Sequence, residues 1–379
     1  MASIAVAGSI AQRPKRGGHA WVFLNYLIGL RRLNHDVLFI DRLTAGMLGN
    51  HRRMVDVTRS PEAKWLHTVM GRAGCSDDYF LLTDESESDG SKARLLDRLR
   101  GIDLLINVNG FLDDAELLDA PLSTAFLDID PAIQQMWVDL GLTDLFAGHD
   151  LYFTVGENIG KSFCEVPTCG LEWLATRPPV VLDEWPEWGN GKAFTTIASW
   201  RGPYGSIEYR DESYGLRVHE FRRFMNLPTL IEPACSIALD IDAADYSDTA
   251  ALRQAGWNLL DPAVVGGDPD AYRSFIRGSA AELSIAKNVY VRSRCGWFSD
   301  RSACYLASGK PVLAQETGYS SNLPTGEGLL SFADVDEAVS GAQEIHSNRR
   351  LHAMAAKALA HEYFDSKKVL GDLVHAAGV

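Results

Sequence analysis

Two rhythms of apolar residues alternate along the chain. Short continuous runs bounded by glycine or polar turns have the pattern of buried strands, and longer stretches with apolar positions at helical spacing have the pattern of helices. The chain opens with the run IAVAG, a loop QRPKRGG, a helix over about 19–33 and the run DVLFID. Trp21, Phe23, Leu24, Leu27, Ile28 and Leu30 keep helical spacing, which makes this a βαβ start. Further strands are expected at 103–108, 123–127 and 151–155, with helices near 92–100 and 132–140. The stretch RPPVVLDEWPEWGNG at 177–191 breaks the rhythm with prolines and glycines and reads as a linker. A second series follows: strand TTIAS, a polar loop to 215, a helix over 216–225, strand CSIALDI, a helix near 248–255, strand WNLLD, a helix near 270–278 and strand ELSIAK. The series continues with a helix over 300–307, a Gly309-Lys310-Pro311 turn, a strand over 311–315 and a second strand ending near Phe332. A helix over 351–360 and another to the C-terminus complete it. The pattern predicts α/β architecture with two successive doubly wound units.

Composition narrows the classes. The 379 residues suffice for two domains, and 46 % hydrophobic content permits two cores. Formal charge is −14, from 36 Lys and Arg against 50 Asp and Glu, so nucleic acid is not an expected partner and any phosphate site has to be locally positive. The cysteines at 75, 164, 169, 235, 295 and 304 form no CxxC pair and no zinc-type spacing, so free thiols and no metal are expected. SIAVAGSIA lacks a basic signal region, and the run WVFLNYLIGL is short and contains Asn25. No integral membrane segment is expected, and the location expected is cytoplasmic. The acidic stretch 84–91 is expected to stay solvated. Gly17-Gly18-His19 is not a GxGxxG fingerprint and Asp41 alone does not rescue one, so no nicotinamide or other cofactor is expected.

The segment from Gly296 to Leu330 carries the most information. Its α/β unit places backbone N–H groups at a helix start and beyond the end of a strand, where phosphorylated ligands bind. Ser308-Gly309-Lys310-Pro311-Val312, followed by Thr317-Gly318, resembles the [AS]-x-G-x-P-V turn and glycine loop of the donor half of GT-B glycosyltransferases. The retaining GT-B family carries two glutamates before this turn; Gly296 and Cys304 stand there, so that mechanism is not carried over. The resemblance spans the chain and is sharp in the first fifty residues and in 285–332. It implies two Rossmann-like doubly wound domains facing across a cleft, with a C-terminal helix that crosses back. The expected division is 1–180 for the acceptor, a linker at 181–192, 193–355 for the nucleotide sugar, and 356–379 packed back on the first domain.

The implied activity is transfer of a sugar from a nucleoside-diphosphate sugar, a co-substrate, to a small molecule (natural products included) or a glycoconjugate, without metal. Rival readings are a nucleotide-sugar 2-epimerase of the same fold and a noncatalytic sugar-nucleotide-binding protein. Catalysis by inversion needs a base, and His19 at a helix N-terminus, where the dipole keeps the ring neutral, is the candidate. The resemblance supplies an orienting aspartate, Asp113 or Asp114. Donor contacts are expected from Gly18, Trp200, Arg201, Arg292, Arg301, Ser302, Thr317, Gly318, Ser320 and Glu327, with Lys287 and Arg294 adding charge nearby. Sugar or acceptor contacts are expected from Asp128, Asp130 and Gln134, a DxD segment closing a strand, and from Trp173. Trp185 and Trp188 are assigned to hinge packing, and the helix face Arg217, His219, Glu220, Arg222 and Arg223 to solvent.

Overall fold

The structure, a computed structural model, describes residues 1–48, 57–187, 189, 191–202 and 205–379. Trp188, assigned above to the hinge, lies outside the described residues. The first sheet is built from β1 (Ser3–Gly8), β2 (Asp36–Arg42), β3 (Tyr79–Leu82), β4 (Leu104–Val108), β5 (Thr124–Asp128), β6 (Leu151–Thr154) and β7 (Trp173–Ala175). Its order is β3-β2-β1-β4-β5-β6-β7, all parallel. After β8 (Phe194–Ser199), β9 (Ile207–Tyr209) and β10 (Glu212–Tyr214) form an antiparallel hairpin. β11 (Cys235–Asp240), β12 (Asn258–Leu260), β13 (Ala281–Ser284), β14 (Val312–Gln315) and β15 (Leu329–Phe332) join β8 in a parallel sheet of order β12-β11-β8-β13-β14-β15. Both sheets start in their middle, wind outward one way and then reverse, which is the doubly wound order. The reversal points fall between β1 and β4 and between β8 and β13.

Apolar runs explain the strands. Val37 to Ile40 and Leu104 to Val108 are buried throughout because helices cover both faces of a parallel sheet. The first helix, Gly17–Arg32, has no side-chain N-cap and no acidic residue in its first turn, while Arg31 and Arg32 complement the dipole at its other end. The helices Pro61–Ala73, Ala115–Leu118, Pro262–Val265, Asn288–Ser293 and Val335–Ser347 and the strands β3 and β7 carry weaker sequence signals and were not expected. The polar loop expected before 215 contains the β9–β10 hairpin. The helix expected over 216–225 is an α-helix at Arg217–Phe221 and a 3-10 turn at Arg222–Phe224.

The halves are joined by a continuous core. Trp21 of the first helix meets Trp185 with ring centroids 4.9 Å apart, and its indole N–H donates to the Pro269 carbonyl at 2.7 Å. Trp185 also packs edge-on against Tyr272, which makes it the interior of the junction as expected. On another side, the Asn158 amide donates to the carbonyls of Arg294 and Gly318 at 3.0 and 2.9 Å. The closing helix, Ser366–Ala376, lies on the first helix: a side chain at Gly29 would stand 2.5 Å from Leu370 Cδ1. All six cysteines are free. Among the described residues no helix is long and apolar enough to cross a membrane.

Candidate active site

A cavity of about 1180 Å³ opens between the halves, at the carboxyl ends of β8 and β11 and at the start of the first helix. That is where doubly wound sheets bind ligands. Six arginines and lysines and four aspartates line it, so a chain of net charge −14 presents a locally positive wall here. Several charges are already paired. Arg16 meets Asp240 at 2.8 Å across the cleft, and Arg201 holds Asp245 through two nitrogens, the nearer contact at 2.6 Å. Arg13 lines the same wall and has no side-chain partner among the described residues.

The N-terminus of the first helix faces this cavity through Gly18 and His19. Gly17 N–H is engaged by the Gly266 carbonyl at 2.7 Å, whereas the N–H groups of Gly18 and His19 have no backbone partner among the described residues. Gly18 is required by close approach, since a Cβ there would stand 2.7 Å from Tyr272 Cε2. Free N–H groups, the positive end of a 16-residue helix and Arg13 together form an anion seat.

His19 Nε2 lies 3.1 Å from both the carbonyl and the hydroxyl of Ser9. A carbonyl only accepts, so Nε2 carries the proton and Nδ1 the lone pair. Burial, opposed by the Ser9 hydrogen bond and aided by Arg13, lowers the ring's pKa to about 4. The ring is therefore neutral at pH 7.

No protein-family model matches the chain, and no curated protein matches it in sequence. Solved structures do match. HepE from Anabaena, in complex with UDP and glucose, aligns with a TM-score of 0.59 at 10 % identity over 100 % of both chains. An alpha-glucosyltransferase in complex with UDP and a 13-mer DNA aligns with a TM-score of 0.63 at 11 % identity, again over 100 % of both. Sucrose-phosphate synthase from Thermosynechococcus elongatus gives 0.59 at 10 % over 99 % of each. The chain has the GT-B fold. At these identities the likeness is one of fold.

Within the GT-B frame, the residues singled out from sequence part company. Gly18, His19, Trp200, Arg201, Lys287 and Arg301 line the cavity. Several others do not, and each has a physical reason. Asp114 caps the helix Ala115–Leu118 and pairs with Lys92 at 2.8 Å, and Asp113 pairs with Arg42 at 2.5 Å; Ser9, not an aspartate, orients His19. Arg292 is held by Glu212 on the hairpin. Ser302 is buried within the helix Asp300–Ala307. Thr317 Oγ1 donates to the Trp297 carbonyl at 2.5 Å, and Gly318 (φ +93°) faces Asn158 of the other half, where a Cβ would stand 2.6 Å from its amide nitrogen. That loop is thus part of the junction between halves. Ser320 is exposed beside it, and Glu327 is exposed in the turn before β15.

Two cavity residues are also committed inward. The Trp200 ring is buried, packed on Phe221 and hydrogen-bonded to Asp248 at 2.9 Å. Arg301 is buried and donates to Glu282 at 2.5 Å, to the Ile197 carbonyl at 2.8 Å and to Ser284 at 3.0 Å. Its guanidinium stitches β8 to β13. Among the sugar-site candidates, Asp128 accepts from Gln135 at 2.6 Å and Thr154 at 2.8 Å, and burial raises its pKa to about 6. Trp173 sits in an aromatic cluster with Phe146, 5.2 Å away, and Tyr152. Gln134 is buried behind Asn109, with its amide N–H₂ 3.4 Å from that carbonyl. Asp130 alone reaches the cleft wall, through a 2.8 Å ion pair with Lys287.

The helix face assigned to solvent is partly interior. Arg217 lines the cavity from a buried position and donates to the Ile285 carbonyl, and burial together with the Arg301 charge lowers its pKa to about 9. Glu220 is buried and accepts from Gln315 and Asn288 at 2.5 and 2.7 Å. Sequence reading passed over Arg13, Arg16, Asp240 and Asp300, all of which line the cavity. The signal was available for Arg13 and Arg16: a basic loop directly before a helix lacking its own acidic cap. Among the described residues, no three His, Cys, Asp or Glu side chains gather where they could hold a metal ion.

Proposed function

We propose that the protein is a glycosyltransferase that uses a nucleoside-diphosphate sugar without metal, the second half (193–355) holding the donor, with the start of the first helix reaching its diphosphate across the cleft, and the first half (1–180) holding the acceptor. The observation that carries this reading is the cavity between two doubly wound sheets, with one open helix N-terminus and an unpaired arginine facing it. HepE and the alpha-glucosyltransferase, both complexes with UDP, support a uridine diphosphate as the first donor to test.

In this reading the departing diphosphate rests on the N–H groups of Gly18 and His19 and on Arg13, where its growing negative charge meets fixed donors and needs no rearrangement. Arg201 and Lys287 bound the same space. His19 Nδ1 accepts the hydrogen bond, and in the transition state the proton, of the acceptor hydroxyl. A ring with pKa about 4 is a weak base, but a bound diphosphate places negative charge beside it and raises its basicity. Asp130, held by Lys287, is placed to meet sugar or acceptor hydroxyls. The linker at 181–192 and the returning segment 356–379 join the two working halves.

Calorimetric titration with UDP, dTDP, GDP and ADP, without metal and then with Mg²⁺, tests the reading. Selective metal-free binding of one diphosphate that weakens in Arg13→Ala supports it. Absence of binding by all four refutes the donor assignment.

A further inference from the structure

Beside the main cavity lies a second one of about 680 Å³. The two share Arg16, Asp240, Ile241 and Pro262, so the 2.8 Å Arg16–Asp240 ion pair stands as the partition between them. The wall of this annex is apolar where Leu239, Leu259 and Leu260 end β11 and β12.

Besides the paired Arg16, two cations line it, one from each half: Lys15 of the loop before the first helix, and Arg253 of the helix Tyr246–Gln254. Neither has a side-chain partner among the described residues. The carboxylates nearby are engaged, Asp240 by Arg16 and Asp261 by the Ala263 N–H at 2.8 Å. In a chain with 50 carboxylates against 36 basic residues, Lys15 and Arg253 outnumber the one lining carboxylate that no cation holds, Asp261, and give the annex a net positive charge beside its apolar wall. The loop that presents Lys15 is held in place. Lys15 has φ +57°, a left-handed conformation unfavourable for a side-chain-bearing residue, and the next two residues are anchored to the other half, Arg16 to Asp240 and Gly17 N–H to the Gly266 carbonyl.

We infer that the annex seats an anionic group of the acceptor, a phosphate or carboxylate, with an adjoining apolar part against the leucines. The inference rests on the glycosyltransferase reading. A nucleoside-diphosphate sugar with a neutral sugar has one anionic group, its diphosphate, and that is accounted for at the first helix. The main cavity takes the base and sugar, so the annex is left to the other substrate, which reaches from the first half past Lys15 onto the wall of the second.

The probes are hexyl phosphate and hexanoate, titrated calorimetrically into the whole protein, free and saturated with UDP. The expected result is binding of at least one probe in both states, weakened at least tenfold in Lys15→Ala/Arg253→Ala and retained in Lys15→Arg/Arg253→Lys. Which probe binds better separates a phosphate from a carboxylate. UDP affinity is expected to be unchanged in both double variants. Failure of both probes to bind, equal binding by the alanine variant, or displacement of the probe by UDP overturns the inference. Failure of UDP, dTDP, GDP and ADP alike to bind any form refutes the glycosyltransferase reading separately, because probe binding to the free protein is scored without them.

Discussion

Two helix N-termini face the cleft, and they are opposites. The helix Asp300–Ala307 begins with its own anion: the Asp300 carboxyl lies against the backbone N–H groups of Arg301 and itself, and burial raises its pKa. The first helix begins at Gly17-Gly18 with no carboxylate and no capping side chain. The dipole is the same in kind at both, yet one end has satisfied itself internally and the other is left open. Arginines repeat the contrast, since Arg301 is consumed by Glu282 and two strands while Arg13 has no side-chain partner among the described residues. A motif that marks a ligand loop in one protein can be spent on architecture in another with the same fold.

The largest effect that would test this contrast is on stability. Arg301→Ala leaves Glu282 buried and uncompensated and is expected to cost about 3–5 kcal/mol, read as a lower denaturation midpoint; a stable variant with lost UDP binding would reverse the assignment. Arg13→Ala should do the opposite. Loss of a charge-assisted contact of about 1.5–3 kcal/mol weakens UDP roughly tenfold to a hundredfold with the denaturation midpoint unmoved, and unchanged affinity would remove Arg13 from the seat.

A smaller effect is expected from pH. The His19 pKa is lowered to about 4, so kcat/KM, which reports the free enzyme, should stay level down to about pH 5 and fall as the ring protonates towards 4. The fall in kcat should lie at higher pH, because bound diphosphate favours imidazolium. His19→Gln should abolish both inflections, and their persistence would assign them elsewhere. The sign for stability follows from the same shift: the unfolded ring binds protons more readily, so wild type loses stability relative to His19→Gln as pH falls from about 6.5 to about 4. The smallest effect belongs to Glu327→Ala, an exposed position outside the cavity, where UDP affinity should change by less than about twofold, within the range of surface substitutions.

Much of the fold was legible because its strands are continuous apolar runs and its long helices keep their period; the helix at Asp300–Ala307 was placed to the residue. The elements that escaped are those whose apolar content is low or whose partners are distant. β7 is a three-residue edge strand known by its pairing to β6, and the β9–β10 hairpin sits in a run of polar and glycine residues. The site was less legible than the fold for a related reason. Arginine and aspartate look alike in sequence whether paired or free, and pairing is decided by contacts such as Arg301 with Glu282 or Asp130 with Lys287, the latter between residues 157 apart. Gly18 and His19 could be placed at the cavity because their position depends on a local feature, the start of a helix.

The closing helix has a consequence for how the protein is made. The surface of the first helix at Gly29 fits against Leu370, contributed by a segment synthesised long after it. While the chain is still growing on a ribosome, the first helix carries an apolar strip that stays uncovered at Gly29 until residues 366–376 have emerged. Completion of the first half therefore waits for the helix Ser366–Ala376, and two segments far apart in the sequence mature in one event.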